Sequence, residues 1–216
     1  MGWDYRVILR RLTSERLSPY ITAGDDDLVR AFQLYEWNMR ASSGVLTLCG
    51  MVEVIVRNAL DEQLRAWARR RHPGKPWFDC APLDRRGHAD VAKARKRATR
   101  GGRDPELHGK VIAELSLGFW RYVAASRYLT TLWIPAAFAA FPNLELDPQR
   151  ARPEVERRLQ HLTFVRNRAA HHEPIHRRNL LQDHDDAVEL IRWICTDSAS
   201  WVEARSPIPA LMGERP

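Results

Sequence analysis

The sequence predicts an all-α fold, an up-and-down bundle of four to six helices. Three observations predict it. Apolar residues recur at spacings of three and four along most of the 216-residue chain. No run of alternating β-branched residues is bounded by hairpin turns, and no internal repeat appears. Hydrophobic residues make up 44% and charged residues 28%, so the chain can bury one sizeable core beneath an ordinary charged surface.

The acidic stretch TAGDDD (22–27) leads into LVRAFQLYEWNMRAS, where an aspartate can cap a first turn and favour its dipole. The clearest helical face follows: Val45, Leu48, Val52, Ile55, Val56, Ala59, Leu60, Leu64 and Trp67. It closes in ARRRHPG (68–74), with cations in the last turn and then Pro73 and Gly74. Residues 73–105 read as a basic connector or insert, within which DVAKARKRAT suits a surface helix. A further helix starts near Pro105, faced by Val111, Leu115, Phe119, Tyr122 and Val123, with Gly118 inside as a close approach or a break. Residues 126–142 are apolar and small. The helix over 153–172 starts with Pro153 in a favoured first turn and turns Val155, Leu159, Leu162, Phe164 and Val165 inward. The last helix, 183–204, has acids at its start and Val188, Ile191, Trp193, Ile194 and Trp201 along it. Together these form a single helical domain over 1–216. Its core spans about 25–204, and a Pro- and Gly-containing end (205–216) reads as a loose tail.

The formal charge of +7 argues for an anionic partner, of which nucleic acid is the commonest. Much of the excess is local: residues 85–103 hold eight Lys/Arg against one Asp. Within it, Lys93, Arg95, Lys96, Arg97 and Arg100 are candidates for an RNA-binding surface, although such a run is most often a solvated face. Cys49, Cys80 and Cys195 are scattered and odd in number, which suggests neither a disulfide framework nor a cysteine metal site and fits a reducing cytoplasm. The N-terminus resembles neither a signal peptide nor a myristoylation site, and the longest apolar candidate for a membrane span, 45–56, is short and contains Glu53.

RNRAAHHEPIH (166–176) carries two overlapping patterns. HEPIH fits the H-E-x-x-H zinc motif, which needs both histidines one turn apart on a helix. Pro174 lies between His172 and His176 and forbids that helix. No metal site is expected. The other pattern is R-N-x-x-x-H. Metal-free RNA cleavage needs a base for the 2′-OH proton, an acid for the 5′-oxygen and a cation at the phosphorane. Histidine suits proton transfer at neutral pH, and arginine offers a fork of donors to phosphate. Arg166 and His171 are the candidates, with Asn167 to orient them. Five residues apart, they lie about 140° apart on a regular helix. They converge only if the last turn distorts or if two copies of the chain share one cleft.

These residues resemble the signature of the Abi-like (AbiD/AbiF-type abortive infection) proteins of the HEPN superfamily. The resemblance extends to residues 34–60, with Glu53, Arg57 and Asn58 as Glu-x-x-x-Arg-Asn, and to residues 112–123. It implies a HEPN-like helical bundle, usually a homodimer, acting without cofactor as a metal-independent endoribonuclease in phage defence or a toxin–antitoxin system. It implies RNA as substrate, a regulatory partner such as an antitoxin, and no membrane. Arg166, Asn167 and His171 are then the expected catalytic residues; Glu53, Arg57, Asn58 and His172 are supporting or RNA-contact candidates. The alternative is a HEPN-type RNA-binding or dimerisation module without catalysis. Structural roles compete at each position: Arg166 in an ion pair, Glu53 and Arg57 as a plain i, i+4 pair.

Overall fold

The computed structural model describes residues 3–216 and is all-α, with eleven helices and no strand among them. Two short N-terminal helices, α1 (Tyr5–Leu12) and α2 (Ser14–Ala23), lead to α3 (Leu28–Arg71), 44 residues without a break. Asp27 caps α3 as its sequence suggests, its carboxylate accepting from the amides of Val29 and Arg30 at 2.7 and 3.3 Å. Two expected helices thus merge into one. The Ser42-Ser43-Gly44 stretch between them bends nothing, because core residues precede and follow it at helical spacing, from Phe32 and Trp37 to Leu64 and Trp67. One window of α3 is long and apolar enough to cross a membrane by composition, but its apolar side is the centre of this molecule's core.

The basic 73–105 segment is folded rather than a bare connector. It forms α4 (Trp77–Cys80) and α5 (Arg85–Ala98), and α5 buries Gly87, Val91, Ala94 and Ala98. The helix expected from Pro105 is two: α6 (His108–Ala113) and α7 (Leu117–Val123). The break is at Ser116, whose hydroxyl caps Phe119, and not at Gly118. Residues 126–140 coil through short 3₁₀ and π turns that bury Tyr128, Leu132 and Trp133.

Helix α8 (Pro148–Ala170) starts five residues earlier than expected. Asp147 caps it and Pro148 takes the first position, so Pro153 falls inside the helix. The last expected helix is also two, α9 (Leu180–Ile194) and α10 (Thr196–Arg205), because Cys195 is extended. That turn resets the helical phase, and Trp201, expected inside, is half exposed. Phe164 is half exposed too, while Val155, Leu159, Leu162 and Val165 are buried.

The expected loose tail is a docked helix, α11 (Ile208–Gly213). Ile208 is buried, Trp37 Nε1 donates to Leu211 O at 2.7 Å, and Arg40 pairs with Glu214. Gly44 is its seat: a Cβ there would come 2.6 Å from Leu211 Cδ1. Helices α8, α9 and α11 all pack on α3, and α8 packs on α9.

Candidate functional site

Pro174 cannot continue a helix, and α8 stops four residues before it. His171 is the cap, its amide donating to Asn167 O at 3.0 Å. His172 then turns left-handed (φ +56°). Its amide donates to Ala169 O at 3.0 Å and that of Glu173 to Arg168 O at 2.8 Å, the Schellman pattern. Glycine usually fills that position; a side chain there costs on the order of 1 kcal/mol. HEPIH is therefore a turn. His172 is exposed and His176 is buried against the Tyr20 ring at 4.9 Å, so the two do not share a helix face. Among the described residues no three His, Cys, Asp or Glu side chains gather closely enough to hold a metal ion.

Arg166 is distinguished by what it does not bind. Along α8, Arg150 pairs with Asp147, Arg152 with Glu156, Arg157 and Arg158 with Glu154 and Asp186, and Arg168 with Glu173. Arg166, exposed, has no carboxylate partner among the described residues; its Nη1 donates to Asn167 Oδ1 at 3.3 Å. It lies toward α3, where its charge acts on Glu53 and Cys49. Asn167 and His171 are also exposed. With α8 helical up to His171, the roughly 140° between positions 166 and 171 remains. Position 171 falls instead on the side of Phe164, seven residues back. His172 lines a cavity of about 230 Å³ with Arg16, Asn38 and Ser42.

The α3 residues sit behind this end of α8. Burial pushes the Glu53 carboxyl above its ordinary range, and Arg166, then Arg57, draw it back in part. Glu53 and Arg57 do not pair directly: Arg57 Nε donates to Asn58 Oδ1 at 3.3 Å. Compared with protein-family models, curated proteins and solved structures, the chain matches none.

Sequence reasoning passed over one cluster. Asp61 is the next polar position after Glu53 and Arg57 at steps of four, and only that spacing signals it. It is buried, and its Oδ1 accepts from Trp77 Nε1 at 2.7 Å and from His108 Nε2 at 2.8 Å. The basic surface, in turn, is smaller than expected. Arg95 is a brace: it pairs with Asp79 at 2.6 Å and Glu106 at 3.2 Å and lies over Phe78. Arg100 forks onto Asp104, and Lys93 lies 3.8 Å from Asp90. Lys96 and Arg97 are the exposed cations of this group without a carboxylate partner among the described residues.

Proposed function

We propose that this protein is a metal-independent endoribonuclease of a phage-defence or toxin–antitoxin system, working as a homodimer on RNA in the cytoplasm. The observation that carries the reading is the exposed Arg166, without a carboxylate partner among the described residues, on a helix whose other arginines are paired, followed by an exposed histidine at the helix end. With no acid holding it, the Arg166 guanidinium is open to an anionic ligand such as a phosphate. In this reading Arg166 steadies the phosphorane, His171 moves a proton, and Asn167 holds the guanidinium. The 2′-oxygen attacks phosphorus, the bond to the 5′-oxygen breaks, and the products are a 2′,3′-cyclic phosphate and a 5′-hydroxyl. The resemblance to Abi-like HEPN proteins supports the same assignment.

Two facts support the homodimer. Arg166 and His171 diverge on one chain, so a complete site draws on a second copy. Beside them, α3 leaves Met39, Leu46, Gly50 and Val54 exposed at spacings of seven, four and four, one face of the helix. A Cβ at Gly50 would meet nothing within this chain. An apolar face beside an incomplete polar site fits an isologous contact.

The deciding experiment is incubation of the purified protein with RNA in EDTA, beside His171→Ala. Cleavage that survives EDTA and is lost in the variant, by at least about 10²-fold, is the expected result. Cleavage abolished by EDTA overturns the metal-free chemistry. No cleavage of any RNA and no growth arrest on expression leaves the non-catalytic RNA-binding module as the reading.

A further inference from the structure

Along α3, Glu53, Arg57, Asp61, Arg65 and Arg69 follow at steps of four, each turning about 40° further around the helix, so these polar positions wind away from the side of Arg166. About 12 Å along the helix from Glu53, at 1.5 Å per residue, stands Asp61. Here α3 and α6 border an open cavity of about 730 Å³, lined by Asn58, Asp61, Glu62, Arg65, Arg69 and His108. Asn58, on the rim of this cavity, accepts from Arg57 Nε at 3.3 Å.

The His108 ring is held firmly and incompletely used. Its Nε2 meets Asp61 Oδ1, and the ring stacks on Phe78 with 5.3 Å between centroids and 18° between planes. Asp61, 5% exposed, is itself fixed by Trp77 Nε1. A carboxylate only accepts, so Nε2 carries a proton, and in the neutral form of the ring Nδ1 is an acceptor. That nitrogen has no protein partner among the described residues and is not among the buried polar atoms; the side chain is 29% exposed, on the cavity. Arg65 and Arg69 are exposed on the same cavity, neither paired with a carboxylate among the described residues.

An oriented acceptor beside two free guanidinium groups is complementary to a hydroxyl adjoining a phosphate. In a nucleic acid strand that combination exists only where the sugar carries a 2′-hydroxyl. We propose that this cavity is a ribose-reading subsite. His108 accepts a hydrogen bond from a 2′-hydroxyl, Arg65 and Arg69 hold the neighbouring phosphates, and the subsite selects RNA over DNA. The proposal rests on the reading of the protein as RNA-acting, and it adds the residue that tells the two nucleic acids apart.

The test is equilibrium binding by the full-length His171→Ala protein, which limits cleavage. The probes are a fluorescent RNA 12-mer and a DNA of the same sequence with deoxyuridine for uridine. The expected result is tighter binding of RNA. Adding His108→Ala weakens RNA binding roughly tenfold, the effect of one lost hydrogen bond in a held site, and leaves DNA binding unchanged. His108→Gln can still donate to Asp61 while presenting an amide oxygen, and recovers part of the preference; it also shows that loss in the alanine variant is not misfolding. Arg65→Ala with Arg69→Ala weakens both probes alike and flattens the plot of log affinity against log salt by roughly 1.4. Equal losses for RNA and DNA on His108→Ala, or no loss, overturn the subsite, while cleavage by the parent protein in EDTA leaves the ribonuclease reading standing. A parent protein that binds neither probe overturns both.

Discussion

At the scale of residues, the contrast between Arg166 and its neighbours on α8 rests on electrostatics as much as on contacts. Glu53 is the acid that Arg166 faces, and it is held at a distance, half-buried and with its carboxyl raised by burial first. A raised carboxyl stabilises the fold in its protonated form. That contribution is present below its unfolded value of 4.5 and is lost as pH rises through the higher folded value. Glu53→Gln removes the cost of burying the charge. The variant is expected to be more stable than the parent near neutral pH, by up to about 1 kcal/mol because solvent still screens the group. The two should converge below about pH 4.5. Urea unfolding on either side of that value measures the difference. A variant less stable at neutral pH would mean that attraction to Arg166 and Arg57 outweighs burial, and that Glu53 is part of a pairing network after all.

At the scale of elements, most of what the sequence promised is present, and the departures share a cause. Periodicity reports which face of a helix is apolar; it is silent on where a helix turns when the pattern continues through the turn. Cys195 and Ser116 break helices in stretches whose apolar spacing carries on, and Ser42 to Gly44 fail to break one. Caps are more legible: Asp27 carries its signal in the sequence, and Asp147 with Pro148 carries the same signal five residues before Pro153. Composition misled at the C-terminus, where Pro207 precedes, and Pro209 and Gly213 belong to, a docked helix. Ile208 buries its side chain there and Leu211 O accepts from Trp37. Removing residues 206–216 is expected to cost about 3 kcal/mol, from one buried isoleucine and one partly buried hydrogen bond. Chemical denaturation of the truncated chain checks this, and unchanged stability would mean that α11 contributes no net packing. The candidate site was legible as Arg166, Asn167 and His171 because a short motif names them. His108 was not, because the pair it forms with Asp61 is 47 residues apart in sequence and only the fold brings it together.

At the scale of the whole molecule, the question is whether one copy can hold a complete site. Arg166 faces α3 and Glu53, whereas position 171 lies roughly 140° around α8 on the Phe164 side. If the copies meet through the Met39–Leu46–Gly50–Val54 face of α3, a charge at its centre should part them without touching the core. Leu46→Asp with Val54→Asp is expected to give a folded monomer by sedimentation, with RNA cleavage reduced at least about 10²-fold although Arg166 and His171 are intact. Complementation then separates a site shared between copies from one that each copy completes alone. Arg166→Ala and His171→Ala are each expected to be inactive by themselves. Mixed, unfolded and refolded together, half the dimers carry one chain of each kind. If a site takes its arginine from one copy and its histidine from the other, such a dimer has one site lacking both groups and one site lacking neither. Two-fold symmetry then predicts recovery of roughly a quarter of the parent activity. If each chain completes its own site, every site in the mixture lacks one group and nothing is recovered. Recovery in the mixture but not with Leu46→Asp added to both chains would place the active site across the α3 face. Recovery that survives Leu46→Asp would put the contact between copies on another face of the molecule.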